Sequence, residues 1–216
     1  MNKLMTAEQA VRRVKDHDVL LVGGFLAGGS PERLLEALLE SSEASGLTIV
    51  NNDTGWQYQN TYKLMERGRV AKVHSTWIGG NPLTGRMLMD NPESVVLTPQ
   101  GTLAEQIRAA GCGIPAFFTP TGVGTVVAEG KETVEMDGRK YLMEKALHGD
   151  VALIHATKAD AFGNCYMRGS TKNFNAIMPM AARYTIVEAE EIVPVGAIDP
   201  DLITVSGIFV HAIVQL

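Results

Sequence analysis

Short apolar runs alternate with segments of helical periodicity along this chain, and this alternation limits the possible folds more than any other feature. The runs are continuous, rich in β-branched residues and bounded by turn residues, which is typical of buried strands. They are Val19–Val22, Leu47–Val50, Val70–Val73, Val95–Leu97, Val151–Ile154 and Thr185–Val187. Most are separated by a helix, so the sequence predicts an α/β fold with an open, largely parallel sheet and helices on both faces.

One segment departs from this alternation. Asp137-Gly138 stands between two extended runs, and this dipeptide is a strong signal for a tight turn between antiparallel strands. We therefore expect a small antiparallel hairpin near residues 131–143. Since no change of composition marks a boundary, residues 1–216 are expected to form a single domain.

Composition excludes several classes of protein. The net charge of −5 lacks the basic excess of a nucleic-acid binder, so no nucleic-acid partner is expected. No stretch reaches the roughly 18 apolar residues needed to span a bilayer, and the first residues mix charges with apolar positions, unlike a signal peptide. We expect a cytoplasmic protein without a membrane partner.

The cysteines and histidines show no ligand spacing. Cys112 and Cys165 are far apart, which fits a reducing compartment, and both are interpreted as small core residues. The other candidate metal ligands are histidines that are scattered along the chain, so no metal is predicted. They are His74, His148, His155 and His211.

Four glycines, Gly23, Gly24, Gly28 and Gly29, lie between the first strand and a run of leucines at helical spacing. A strand, a glycine-rich turn and a helix together resemble a phosphate-binding loop. However, Gly29 stands where a Walker A loop needs lysine, and the dinucleotide pattern GxGxxG fits in no register. Two interpretations stay open: a tight turn with Ser30 as the helix cap and Pro31 at the first helical position, or a backbone that approaches a ligand closely.

Polar residues follow two further predicted strands. Asn51, Asn52 and Asp53 follow the second strand, and Gln100 follows the fourth, ahead of a helix that the capping-box pattern Thr102–Glu105 starts and that ends near Gly111. Carboxyl ends of parallel strands line the ligand crevice of open α/β sheets. Asn and Asp are equally good turn residues, so a purely structural role stays open for the first three.

Five motifs in order give a more specific indication: GGFLAGGSP, NNDTG, TPQGTLAEQIRAAG, TPTGVGTVVAEG and TKNFN. From Leu20 to about Val193 the chain resembles the alpha subunit of class I (3-oxoacid-type) coenzyme A transferases. The family pattern begins with Asp/Asn then Gly/Asn, and this chain departs from it at His17, which we interpret as a solvated turn residue.

The resemblance implies that CoA moves between an acyl-CoA and a free carboxylate through a glutamyl-CoA thioester. In the family the glutamate lies in a Ser-Glu-Asn-Gly motif of the beta subunit, and this sequence has no such motif. Glu129 and Glu188 are assigned to structure or solvation. The implied assembly is a heteromer with a beta subunit, α2β2, acting on acetate, acetoacetate or butyrate, with CoA as a substrate and no permanently bound cofactor.

The resemblance also implies roles for individual residues. Gln100 becomes the donor to the thioester oxyanion, and residues after the second strand, Asn51, Asn52 and Asp53, line the acyl pocket. The CoA-binding stretch comprises Gly23, Gly24, Phe25, Leu26, Ala27, Gly28 and Gly29. Lys172, Asn173 and Asn175 either contact the partner or cap a helix.

Two other classes stay open. One is a noncatalytic module that binds acyl-CoA or a nucleotide. The other is a sugar-phosphate isomerase-like enzyme on a similar fold, which would need its own acid–base pair, and no such pair stands out in the sequence.

Overall fold

A computed structural model of the chain describes residues 2–26 and 28–216. The strands are β1 (Val19–Val22), β2 (Leu47–Val50), β3 (Val70–Ser75), β4 (Val95–Leu97), β5 (Ala116–Thr119), β6 (Thr133–Met136), β7 (Arg139–Lys145), β8 (Gly149–Asp160), β9 (Cys165–Tyr166), β10 (Ala182–Val193) and β11 (Ala212–Gln215). The α-helices are α1 (Ala7–Val11), α2 (Glu32–Ser41), α3 (Asn60–Glu66), α4 (Pro82–Asp90), α5 (Gln100–Gly111) and α6 (Met178–Ala181).

The main sheet has the strand order β11-β10-β8-β1-β2-β3-β4, and every neighbouring pair along this path is parallel. The short β9 pairs antiparallel with β8. From β1 the chain builds the sheet first towards β4 and later, through β8, towards β11, so the direction of winding reverses between β1 and β8. A reversal of this kind opens a crevice at the carboxyl ends of the strands.

Alternate residues of the strands face two separate cores. In β1, Leu20 and Val22 pack on one side with α1, α2 and α3, while Leu21 packs on the other side with α5 and α6. The predicted leucine stripe of α2 is buried on the first side. Burying each large aliphatic side chain contributes about 1.5–3 kcal/mol, which makes these two layers the main source of stability. The predicted parallel sheet with helices on both faces is confirmed.

The predicted hairpin is also confirmed, and it belongs to a larger unit. β6 and β7 pair across Asp137-Gly138, both of which have positive φ as a tight hairpin turn requires, and β5 adds a third antiparallel strand. Glu144 of β7 is buried and accepts hydrogen bonds from Gln106 Nε2 of α5 at 3.0 Å and from Lys131 Nζ at 2.6 Å. This carboxylate therefore attaches the small sheet to helix α5.

Both predicted helix caps are wrong. Pro31, and not Ser30, is the residue that immediately precedes α2. The Ser30 hydroxyl donates to Glu32 Oε1 at 2.6 Å and caps no backbone group. α5 begins at Gln100, ahead of the predicted start, and Thr102 is buried inside its first turn. The predicted end at Gly111 is confirmed.

The two cysteines differ in their surroundings. Cys165 is buried as predicted, and burial raises the pKa of its thiol to about 12. The core assignment of Cys112 is wrong, since this residue is exposed just after α5. Both are free thiols. Across residues 2–26 and 28–216, the helices are too short and too polar to cross a lipid bilayer.

Candidate active site

The carboxyl ends of β1 to β4 bring together the polar residues that the sequence singled out. Gln100, the first residue of α5, donates from Nε2 to Asn52 Oδ1 at 2.6 Å. Asn52 in turn donates from Nδ2 to Asp53 Oδ2 at 2.9 Å. The parallel order of β2, β3 and β4 produces this contact between residues 48 positions apart in the chain.

Asn52 is fixed from several sides. Its backbone carbonyl accepts from Thr76 Oγ1 at 2.7 Å and from Ser75 Oγ at 3.1 Å, and its side chain is 4 % exposed. Gln100 is exposed to solvent. A carboxamide carries two N–H donors, and Asn52 is the acceptor for Gln100 Nε2 among the described residues. Asn52 therefore orients an accessible amide whose second N–H can meet a ligand oxygen.

Asp53 connects this group to the glycine loop, residues 23–29. Its Oδ2 accepts from the Leu26 N–H at 2.7 Å, and its Oδ1 accepts from the Gly55 N–H at 3.1 Å. Asn51 is 3 % exposed, and its Oδ1 has no hydrogen-bond partner among the described residues. Of the three predicted pocket residues, Asn52 alone lines the cleft described next.

An open cleft of about 510 Å³ lies beside Gln100 and Asn52, a volume in the usual range of small-molecule sites. Its remaining lining is largely apolar, with one threonine. These residues are Phe25, Leu26, Trp56, Thr76 and Trp77. Neither tryptophan was predicted from the sequence, although polar or aromatic residues at the end of β3, where Trp77 lies, are as well placed to line a crevice as those at the ends of β2 and β4.

The glycine loop is held by hydrogen bonds within the chain. The N–H groups of Gly23 and Gly24 donate to Leu153 O at 3.0 Å and to Asn173 Oδ1 at 3.1 Å. Phe25 and Gly28 exchange N–H···O bonds of 3.0 and 2.9 Å. With the Leu26 bond to Asp53, five amides of the loop are thus engaged. Ala27, named with the CoA-binding stretch, lies outside the described residues.

Two asparagines of the TKNFN segment hold the loop from the other side. Asn173 Nδ2 donates to Gly28 O at 3.1 Å, while Asn175 Nδ2 donates to Gly29 O at 2.8 Å. Asn173 also caps the short 3₁₀ turn Phe174–Ala176, so the predicted capping role is confirmed for this residue. The sequence contains no local signal for their contact with glycines about 150 positions away.

A buried carboxylate occupies the amino end of α2. Glu188 of β10 is 2 % exposed, its Oε2 accepts from the Leu34 N–H at 3.0 Å, and its Oε1 lies 3.1 Å from His155 Nδ1. His155 Nε2 lies 3.0 Å from Glu190 Oε1. Burial opposes the charge on His155, but the hydrogen bonds to both glutamates outweigh it and raise its pKa.

The Glu188 carboxylate therefore accepts a hydrogen bond from the first turn of α2. It occupies the position at a helix amino end where a phosphate-binding loop would hold its phosphate. The prediction that Glu188 is structural is confirmed, and Glu129 is exposed as expected of a solvated residue. His17 is exposed in a turn with φ of 65°, a conformation that favours the Gly or Asn of the family pattern. Within residues 2–26 and 28–216, no group of three or more His, Cys, Asp or Glu side chains is arranged to hold a metal ion.

Comparison with known proteins identifies the family and agrees with this fold. The family model for coenzyme A transferase matches residues 4–216, and the chain belongs to this family. It is 45% identical over 214 residues to the alpha subunit of the acetate CoA-transferase of Escherichia coli (strain K12), covering 99% of this chain and 97% of that protein. It is 42% identical over 214 residues to one subunit of the succinyl-CoA:3-ketoacid coenzyme A transferase of Helicobacter pylori (strain J99), covering 99% and 92%.

A solved structure shows the same fold. The acyl-CoA transferase YdiF of Escherichia coli O157:H7, crystallised as a thioester complex with CoA, superposes with a TM-score of 0.88 at 21% identity. The match covers 100% of this chain and 47% of that one, so this chain spans about half the length of that neighbour. The family expected from the five sequence motifs is confirmed.

Proposed function

We propose that this chain is the alpha subunit of a heteromeric short-chain acyl-CoA:carboxylate CoA-transferase of the acetate, acetoacetate or butyrate type. The observation that supports it most is the oriented Gln100 amide, which shares one cleft with Asn52 and an apolar lining in a chain of this family. The two relatives, both named as subunits, support a partner beta subunit. CoA is a substrate, and no other cofactor is held permanently.

In this mechanism the beta subunit supplies the nucleophilic glutamate, whose carboxylate attacks the thioester carbonyl and forms an acyl-glutamyl anhydride as the C–S bond breaks and the CoA thiolate leaves. The thiolate then attacks the glutamyl carbonyl, which gives the glutamyl-CoA thioester and releases the acyl group as a free carboxylate. Each tetrahedral step places negative charge on the carbonyl oxygen. Gln100 donates its second N–H to that oxygen while Asn52 holds the first. A preorganised donor of this kind typically contributes about 2.7–4 kcal/mol to the transition state.

The glycine loop supports the proposal in a different way from a phosphate-binding loop. Since five of its amides are engaged within the chain, it meets the acyl-CoA through the exposed Phe25 and Leu26 side chains. We further propose an α2β2 assembly and a cytoplasmic location, which the free thiols of Cys112 and Cys165 favour. Residues 1–216 then act as one domain.

Reconstitution tests the assembly. The chain is purified alone and together with a beta chain of this family, and transfer of CoA from acetyl-CoA to a carboxylate is measured. We expect transfer only by the pair, with a native mass equal to two copies of each chain. Transfer by the isolated chain at the rate of the pair would place the nucleophile in this chain and contradict the proposal.

Substitution of Gln100 tests the oxyanion donor. Gln100→Ala should lower kcat by roughly 10²–10³-fold while assembly persists, because the partner's glutamate is untouched. The matched control is Gln215→Ala, the same change on an exposed residue of the edge strand β11. The glutamyl-CoA thioester is trapped on the beta chain with borohydride after mixing with acyl-CoA. Trapping at the wild-type rate by the Gln100→Ala pair would assign the oxyanion to another donor.

A further inference from the structure

The two tryptophans of the cleft form a fixed aromatic surface. Trp56 and Trp77 meet edge to face, with ring centroids 5.9 Å apart and an interplanar angle of 68°. Such pairs contribute beyond their buried area, so each ring holds the other in place. The Trp77 backbone is fixed as well, because its carbonyl accepts from Ser75 Oγ at 3.2 Å and the residue forms a parallel bridge with Asp53.

Two glycines provide the space in which these rings lie. A Cβ on Gly79 would lie 2.8 Å from Trp77 Cζ2, and a Cβ on Gly80 would lie 3.0 Å from Trp56 Cε3 and 3.1 Å from Trp77 Cζ3. Contacts this short exclude any side chain at these positions unless the rings move. The dipeptide Gly79-Gly80 therefore lets both rings pack directly against the backbone.

The aromatic surface stays accessible in this chain. Trp77 is 42 % exposed, Phe25 is 45 % exposed and Leu26 is 37 % exposed, and all three line the cleft beside Gln100. Clustered exposure of large apolar side chains marks a site that contacts a ligand or a partner. The shared cleft places this surface next to the amide that would meet the thioester oxygen.

We infer that the acyl chain of the substrate packs against Trp56 and Trp77, and that this contact selects uncharged short acyl groups. The inference rests on the proposed function, since it takes the Gln100 amide as the position of the carbonyl. Each methylene removed from water against such a surface favours binding about fourfold. A charged end group of the same length would lose hydration against the rings and is disfavoured.

Acceptor specificity of the reconstituted pair tests this contact. In a ping-pong reaction kcat/KM for the acceptor reports the second half-reaction, so acetyl-CoA serves as one common donor for propionate and butyrate. The ratio of the two kcat/KM values cancels changes in active-enzyme concentration and in CoA binding. We expect Trp77→Ala to lower the butyrate-to-propionate ratio about fourfold and Trp77→Phe to lower it less.

Tyr58→Ala is the matched control, because this aromatic side chain, two residues from Trp56, is 70 % exposed and does not line the cleft. Its ratio should equal that of the wild type. An unchanged ratio in Trp77→Ala would overturn the inference. An equal loss of kcat/KM for both acids would also overturn it, since the ring would then contact CoA or the partner and not the acyl chain.

Succinate tests the exclusion of charge, because it matches butyrate in chain length and adds a second carboxylate. We expect its kcat/KM to be at least tenfold below that of butyrate in the wild-type pair, and equal values would overturn the selection of uncharged groups. Absence of transfer to every carboxylate would instead remove the proposed function together with this inference. A working transferase with an unchanged Trp77→Ala ratio removes the inference alone.

Discussion

Gly23 is the position where the smallest change should have the largest effect on stability. A Cβ at Gly23 would lie 1.7 Å from Asn175 Oδ1 and 2.6 Å from Asn175 Cγ. The Asn175 side chain is fully buried, so it has no solvent-filled space to move into. Gly23→Ala therefore forces the Asn175 carboxamide out of its position or displaces the end of β1.

The cost follows from the hydrogen bonds that Asn175 makes. Its Oδ1 accepts from the His155 N–H at 3.0 Å, and its Nδ2 donates to Gly29 O at 2.8 Å and to Thr171 O at 2.9 Å. Each buried group left without a partner costs about 1–3 kcal/mol, so loss of these three hydrogen bonds in Gly23→Ala should lower the free energy of unfolding by roughly 3–9 kcal/mol. That is a large part of the ~5–15 kcal/mol that stabilises a typical domain.

Urea denaturation followed by circular dichroism measures this loss. Gly85→Ala is the matched control, because Gly85 lies inside α4 and a Cβ there meets nothing within 4 Å. The control should raise the free energy of unfolding by about 0.8–1 kcal/mol through helix propensity. A loss below about 1 kcal/mol for Gly23→Ala would refute the steric argument.

A double-mutant cycle identifies the residue responsible. Asn175→Ala alone should be destabilising, since it leaves the same backbone groups without partners. Adding Gly23→Ala to that variant should cost little, because the two methyl-sized side chains no longer collide. Additive losses would show that the added Cβ is resisted by something other than Asn175.

Three further substitutions test electrostatics and backbone strain. Burial, with nearby lysines, lowers the pKa of His74 to about 4, so its neutral form stabilises the fold above pH 6.5 and this contribution, about 3 kcal/mol, is lost as the pH falls towards 4. Between pH 7 and pH 4 the free energy of unfolding of His74→Gln should therefore fall by about 3 kcal/mol less than that of the wild type. Parallel plots of unfolding free energy against pH for the two proteins would contradict this. His155 has a raised pKa despite burial, because Glu188 and Glu190 bond its ring, so its contribution is complete below pH 6.5 and is lost at higher pH. The stability difference between wild type and His155→Gln should shrink from pH 6 to pH 9, and a growing difference would reverse the sign argued here. His17→Gly should raise the free energy of unfolding by about 0.5–1 kcal/mol by relieving the positive φ, as thermal denaturation would show, whereas a lower midpoint would mean that the imidazole contacts matter more.

Sequence patterns predicted the strands whose ends are marked by turn residues. β1, β2 and β4 match the predicted bounds, since each is a short apolar run between polar or glycine residues. β8 and β10 extend beyond the predicted runs, because they pair with each other over most of their length and tertiary pairing continues the strands through polar positions. β9 has only two residues and no apolar run, while the short apolar stretches of β5 and β11 were not predicted as strands.

Of the residues at the candidate site, some were predicted from local sequence patterns and others were not. The rule for parallel strand ends placed Gln100 and Asn52 at one edge, and their side chains are in contact. It missed Trp77 because the predicted third strand ended at Val73, two residues before β3 ends at Ser75. Trp56 was not predicted because its place in the cleft depends on its contact with Trp77 and on the space beside Gly80. Both residues are more than 20 positions away in the sequence.

The structure of the glycine loop explains why its composition resembles that of a phosphate-binding loop although its amides bond within the chain. Both structures need a backbone without side chains so that a polar partner can approach closely. In this chain the partners are internal: Asn173 and Asn175 bond the loop directly, and the Glu188 carboxylate fills the amino end of the following helix. Asn175 then requires glycine at position 23, and the loop residues that line the cleft are Phe25 and Leu26. An acyl-CoA approaching this edge would thus meet apolar side chains and one oriented amide, which suits a thioester and its acyl chain better than a phosphate group.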